Sequence, residues 1–315
     1  MSTQDSPILS PPLKPGDTIG VFAPSSFVEE EDIQKSRKLM EDKGYSVFIH
    51  PQTYERYHQS AGTTLQKALA FQGLWLRKDI KAIWAAGGGN RCLHLTESIN
   101  FEKLKTKPKM LIGFSDVTAL LNAVYAHTGI VSFHGPVFKN LYKHKPMRHL
   151  LDTLSGKKQS IPMKSAKILK HGTAEGPLVG GNLSIFQYLP QSLPGEFWQD
   201  SILFLEDCNE DLSKLDRMML HLKRTGVLGQ ISALVLGHFS DLTESGQPYG
   251  FSLEDIVIEH TEGLDIPVVM DMPFGHATPF YTFPVGALAT LNTEDSLFVL
   301  SAPAVQDNQD SSPKD

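Results

Sequence analysis

Residues Lys109–Leu120 read "KMLIGFSDVTAL", and the fold class turns on how that stretch divides. "KMLIGF" is a short apolar run of the kind that forms a buried strand. "DVTALLNAVYAH" then repeats apolar residues at helical spacing. The two meet abruptly at Gly113–Phe114–Ser115–Asp116. The same alternation continues on both sides. "TIGVFAP" precedes "EEEDIQKSRKLMEDKG", which is acidic at its start and stops at Gly44. "YSVFIH" precedes a helical stretch around "TTLQKALAFQGLWLRK", and "KAIWAA" runs through "GGGN" into another. "GIVSFHGP" is a further strand. Strands alternating with helices predict an α/β fold whose largely parallel sheet is covered on both faces.

The second half repeats the theme from "EGPLVGGNLSIFQYL" onward. "SILFLED", "ISALVLGHF" and "PVVMDM" read as strands, and "SLEDIVIEHTEG" as a helix. In "LSKLDRMMLHLKRTG", Leu212, Leu215, Met219 and Leu222 share one helical face and are expected in the core. "PFGHATPFYTFPVG" reads as a Pro/Gly-rich loop, and "ALATL" and "SLFVL" close the chain as short strands. Between Lys139 and His171, nine Lys or Arg residues stand against a single Asp, with prolines interspersed. That run reads more simply as a solvated connection than as an anion-binding patch, because no aromatics alternate with the charges. The expected division is 1–140, an N-terminal α/β domain; 141–172, a basic linker; 173–303, a C-terminal α/β domain; and 304–315, a disordered polar tail. The first residues, "MSTQDSPILSPPLKPGD", read as a short loose arm.

The 315 residues suffice for two modest domains or one large one. No apolar run reaches the ~18 residues of a membrane span, and no signal peptide opens the chain. Two cysteines cannot build a disulfide framework, which favours a reducing cytoplasm. A net charge of −6 disfavours nucleic acid as a partner, because binding phosphate backbones takes a surplus of Lys and Arg.

In open parallel sheets, ligands bind beyond the carboxyl ends of strands. Gly87–Asn90, Ser115, His134, Glu206 and His276 all fall at such ends. A serine hydroxyl needs a neighbouring base to attack, commonly a histidine steadied by a carboxylate. A tight strand-to-helix corner exposes the serine and aims the next backbone N–H at a developing oxyanion. "GFSD" fits that corner but is not the G-x-S-x-G elbow, since Val117 stands two residues after Ser115. On pattern alone, a helix cap by Ser115 or Asp116 is the simpler reading. "GGGN" lacks both dinucleotide and Walker spacing, so a plain turn, a phosphate cradle and an oxyanion donor all stay open. No H-E-x-x-H or Cys/His metal spacing occurs among the twelve histidines, and no metal is expected. His276 lies in a loop where an apolar purpose is hard to find. His134 reads as packing and hydrogen bonding beneath a site. Glu206 ends a very apolar run and needs a partner, with Asp207 as the neighbouring alternative. Cys92 reads as a small core residue. Arg217 suits either a substrate carboxylate or a structural ion pair.

Taken together and in order, "LKPGDTIGVFAPSS", "IGFSDVTALLNA", "FHGPV", "EGPLVGGNLSIF", "ILFLEDCNE", "LDRMMLHLKRTGVLGQISALVLGHF" and "PFGHATPFYTFPVGALATL" carry a resemblance. The chain resembles the L,D-carboxypeptidases of serine peptidase family S66, which include the microcin C immunity peptidases. The resemblance implies a flavodoxin-like, or glutamine-amidotransferase-like, N-terminal domain and a C-terminal α/β domain. It implies Ser115 as nucleophile, Glu206 as acid and His276 as base. It also implies an oxyanion hole from the Asp116 N–H and a glycine N–H, at Gly88 or Gly89. The family commonly reads Arg-Gly-Gly-Tyr-Gly at that loop, whereas Gly87-Gly88-Gly89-Asn90-Arg91 stands here. The implied activity releases terminal D-alanine from murein tetrapeptides, cutting after an L-centre of meso-diaminopimelate. The alternative within the family is cleavage of acyl-sulfamoyl or related nucleotide-peptide conjugates. No metal or organic cofactor and no membrane or nucleic-acid partner is implied. A small peptide substrate, a cytoplasmic location and a homodimer are. A non-catalytic protein holding an anion on "GGGN" is the reading from another class.

Overall fold

The structure is a computed structural model that describes residues 6–157, 159–244 and 246–306. The first half runs β1 (Thr18–Phe22), α1 (Glu30–Asp42), β2 (Ser46–Ile49), α2 (Thr64–Leu76), β3 (Ile80–Ala85), α3 (Cys92–Thr96), α4 (Phe101–Lys105), β4 (Met110–Gly113), α5 (Thr118–Thr128) and β5 (Ser132–His134). The second half runs α6 (Met147–Leu154), β6 (Lys167–Lys170), β7 (Thr173–Asn182), α7 (Leu183–Phe186), β8 (Ile202–Cys208), α8 (Leu212–Arg224), β9 (Ala233–Ser240), α9 (Leu253–Thr261), β10 (Val268–Met270), β11 (Phe283–Val285), β12 (Leu288–Asn292) and β13 (Leu297–Leu300).

Two sheets result. The first has the order β11-β5-β4-β3-β1-β2, with the five strands of the first half all parallel. Order 2-1-3-4-5 is the flavodoxin-like arrangement. The second has the order β13-β12-β7-β8-β9-β10-β6, with β7 to β10 parallel and the outer strands antiparallel. Strands covered on both faces read as unbroken apolar runs. Every residue of β4 is accordingly buried, as is β8 through Asp207.

Several boundaries differ from the expected ones. β11 lies inside the stretch read as a loop, and it crosses back to pair antiparallel with β5 of the first sheet. Its Pro284 is tolerated because β11 is an edge strand. Residues 141–172 are not a bare connection: they hold α6, whose Leu150 and Leu154 are buried, and β6, which pairs with β10. The lysines of β6 are used, Lys167 by Glu254 and Lys170 by the Thr261 carbonyl. The N-terminal arm is pinned, not loose. Ile8 donates to Gly129 O and accepts from Val131 N, and Ser10 and Leu13 are buried. Residues 304–306, expected in a tail, are packed instead: Ala304 and Val305 are buried and the Gln306 N–H donates to Ser10 O. Residues 307–315 of that tail, and residues 1–5 of the arm, lie outside the described residues. In α8, Leu215, Met218, Met219 and Leu222 are buried, while Leu212 is only partly so.

α5 joins the two halves. Leu120, Leu121 and Val124 pack in the core of the first sheet, and Ala119 and Ala123 in that of the second. Thr118 Oγ1 accepts from the Asn182 N–H at 2.9 Å. Asn122 donates to Gly180 O at 2.8 Å and accepts from Gly180 N at 3.2 Å. Gly181 allows this approach: its φ is +133°, and a Cβ there would lie 2.5 Å from Thr118 Oγ1.

Candidate active site

The corner after β4 is strained. Ser115 has φ +62°, a left-handed conformation uncommon for a residue with a side chain. A single 3-10 turn over Ser115–Val117 leads into α5. No side-chain cap serves either start, so the capping reading of "GFSD" does not hold. The Asp116 carboxylate turns away and accepts from the Cys92 N–H at 2.9 Å. Burial raises its pKa.

The glycine loop after β3 lies against this corner. A Cβ on Gly88 would sit 3.1 Å from Ser115 Cβ and 3.3 Å from Ser115 Oγ. Gly89 faces elsewhere: φ is +119°, and a Cβ would be 2.2 Å from Ser26 Oγ. The Ser26 N–H donates to Gly88 O and Ser26 Oγ accepts from the Asn90 N–H, both at 3.3 Å. Gly88 is thus the glycine beside Ser115.

Glu206 lies near the end of β8, in register with Asn182 of β7. Because Asn182 is also tied to Thr118, the acid stands at a fixed offset from the Ser115 corner. The Glu206 side chain is fully buried, and its Oε2 meets His276 Nδ1 at 2.7 Å. Burial alone would lower the His276 pKa, but the hydrogen bond and charge of Glu206 outweigh it and raise the pKa above its ordinary 6.5. Asp207 points away. It accepts from Asn182 Nδ2, Ser184 N and Cys208 N at 2.8–2.9 Å, while burial and then the Glu206 charge lift its pKa to about 6. The Phe114 ring lies 4.3 Å from the His276 ring, centroid to centroid. Among the described residues, Ser115 Oγ makes no hydrogen bond to His276; such bonds often tighten only with substrate. A cavity of about 340 Å³ opens beside His276, with Phe114, Phe280, Asn140, Lys143 and Lys145 also in its lining.

His134 packs beneath, as expected, but without a hydrogen bond. It is fully buried among Phe114, Phe204, Phe274 and Phe280, and neither ring nitrogen has a protein partner. Burial, then the His276 charge, pushes its pKa down to about 3. Cys92 is a buried core thiol whose pKa burial raises well above the usual value, so it is a poor nucleophile. Arg217 is exposed on α8 and makes no ion pair among the described residues. Among the described residues no group of three His, Cys, Asp or Glu could hold a metal, and no helix is long and apolar enough to cross a membrane. Lys67 escaped sequence reading. It looks like any helix-surface lysine, yet it is buried under the glycine loop, donating to Ser60 Oγ and Arg91 O.

Sheet order, corner and acid–histidine pair together define an α/β hydrolytic architecture. Residues 19–135 match the LD-carboxypeptidase N-terminal domain and residues 175–291 the LD-carboxypeptidase C-terminal domain. The chain belongs to this family, peptidase S66, and is a serine-type carboxypeptidase. A putative carboxypeptidase of Synechocystis, slr1534, is 32% identical over 93% of this chain and 97% of its own. The murein tetrapeptide carboxypeptidase of Pseudomonas aeruginosa is 28% identical over 87% of this chain and 92% of its own. Among solved structures, wild-type microcin C7 self-immunity protein MccF superposes with TM-score 0.85 at 23% identity, covering 95% of this chain and all of that one. Muramoyltetrapeptide carboxypeptidase from Oxalobacter formigenes gives TM-score 0.79 at 28% identity, covering 90% of this chain and 97% of that one.

Proposed function

We propose that this enzyme is an L,D-carboxypeptidase that removes terminal D-alanine from murein tetrapeptides, with Ser115, Glu206 and His276 as its triad. The observation that carries the reading is the buried 2.7 Å Glu206–His276 hydrogen bond beside a serine held at φ +62°. With Nδ1 engaged by Glu206, Nε2 is the nitrogen free to take the Ser115 proton. Ser115 Oγ then bonds to the scissile carbonyl carbon, and the oxyanion takes hydrogen bonds from the Asp116 and Gly88 N–H groups. The tetrahedral intermediate collapses as His276 donates its proton to the leaving amine, and the C–N bond breaks. A water, deprotonated by His276, then attacks the acyl-enzyme and releases the peptide acid and Ser115. Because His276 protonates the leaving amine, the leaving D-amino acid belongs on its side. The 340 Å³ cavity there has Lys143 and Lys145 to meet a terminal carboxylate. On this reading the enzyme works in the cytoplasm, in recycling of cell-wall peptides, as a homodimer.

The departure at Gly87–Arg91 favours a second reading. MccF relatives have been solved with aspartyl sulfamoyl adenosine and glutamyl sulfamoyl guanosine, and a loop altered on the substrate side suits a substrate other than murein peptide. The test compares turnover of a murein tetrapeptide and an aminoacyl-sulfamoyl adenosine by wild type and Ser115→Ala. The expected result is D-alanine release by wild type, and a loss in the variant on the order of 10⁶-fold. Release at the wild-type rate by Ser115→Ala removes the nucleophile assignment. Turnover of only the sulfamoyl compound selects the second reading.

A further inference from the structure

A second cavity, of about 610 Å³, lies beside the end of the glycine loop, with Asn90 and Arg91 in its lining and His276 absent from it. Its walls come from two segments, Tyr57–Ser60 after β2 and Asn90–His94 at the start of α3. His58, Arg91 and His94 line it, and no Asp or Glu does. Arg91 forms no ion pair among the described residues. Beneath the floor lies Lys67, fully buried, donating to Ser60 Oγ at 3.1 Å and to Arg91 O at 3.4 Å. Asp116, the acid that acts on Lys67, is buried, with an oxygen already held by the Cys92 N–H. Two wall residues are strained: His58 has φ +55° and Arg91 φ +74°. The Asn90 side chain bonds Gln59 Oε1 at 2.6 Å and so ties the walls together. A buried cation under a cavity lined by Arg91 and two histidines, with no acid in the lining, makes a field that attracts anions.

We propose that this cavity is an anion subsite, with Arg91 as its main ligand, that holds a non-terminal carboxylate of the substrate's acyl part. The proposal rests on the functional reading above, which assigns the His276 side to the leaving group and leaves the glycine-loop side to the acyl chain. Arg91 presents a planar fork suited to a carboxylate, and His58 and His94 add ring N–H donors. Arg91 thus determines specificity and takes no part in bond making.

The test reads binding to the full chain carrying Ser115→Ala. Three probes are used: a murein tetrapeptide with free carboxylates, the same peptide with its non-terminal carboxylates amidated, and adenosine monophosphate. The free acid is expected to bind about tenfold to a hundredfold tighter than the amidated peptide, the range of a charge-assisted hydrogen bond. Adding Arg91→Asn, which tolerates a left-handed backbone, should erase that difference, and Arg91→Lys should keep part of it. A free-acid preference that survives Arg91→Asn in a folded protein overturns the proposal, as does equal binding of both peptides by the Arg91 parent. If no peptide binds but the nucleotide does, and Arg91→Asn weakens it tenfold, the anion subsite stands and the murein reading falls. Loss of neither ligand on Arg91→Asn overturns the subsite whatever the substrate.

Discussion

Glu206 sets the protonation behaviour of His276. With His276 as the proposed base, its raised pKa is expected to place the acid limb of kcat/KM above pH 6.5, because the base must be neutral to accept a proton and activity falls as pH drops through its pKa. Glu206→Gln removes the main influence that raises it and leaves burial opposed only by the Asp207 charge. The limb should then move to lower pH while kcat falls on the order of 10⁴-fold, the scale seen when an orienting acid is neutralised. A pH profile of the variant checks both, and an unmoved limb refutes the pairing's role. His134 gives a prediction of opposite kind. Folded, its pKa is about 3, whereas the unfolded chain binds the proton near 6.5. Stability is therefore full above pH 6.5 and drains away below it, by about 1.4 kcal/mol per pH unit. His134→Phe should flatten the drop between pH 8 and pH 5 by about 2 kcal/mol in denaturant melts. Retention of the full slope would mean another group carries it. Little of this shows in sequence. Ser115 could be placed at a strand-to-helix corner, but Asp116 finds its partner 24 residues upstream, and no local pattern announces such a pairing. The pairing of Glu206 with His276 was suggested by family resemblance, not by spacing.

Among the elements, α5 is held to β7 by Thr118 and Asn122, and Gly181 makes room for it. Gly181→Ala puts a methyl group 2.5 Å from Thr118 Oγ1 in a backbone conformation alanine avoids. Loss of about 1–3 kcal/mol of stability is expected from strain and the weakened Asn182 bond. The kcat should fall more than KM rises, because Ser115 shifts relative to Glu206. Urea melts and steady-state kinetics separate the two effects, and an unchanged kcat would show the joint to be irrelevant to the site. The parallel strands were legible because burial on both faces leaves no polar alternation. β11 was not, since its three residues include Pro284 and sit amid other prolines and glycines. β6 was hidden for another reason: its sequence, KILK, merges into a basic run, although those lysines are taken up by α9.

For the whole molecule, the halves that look separable in sequence share a sheet. β11 from the second half covers the edge of β5, and residues 304–306 pack on the N-terminal arm. A fragment of residues 1–140 would expose the β5 edge, which invites pairing with other chains. It is expected to aggregate on expression, whereas the full chain should unfold in one transition; a monomeric, cooperatively folded fragment would contradict this. The stretch carrying His276 is anchored in the second sheet by β10 and in the first by β11. On a ribosome, the Ser115 corner emerges more than a hundred residues before that stretch can be clamped at both ends. On the proposed triad, a nascent chain therefore holds its serine without a base until β10 and β11 have both been made and paired.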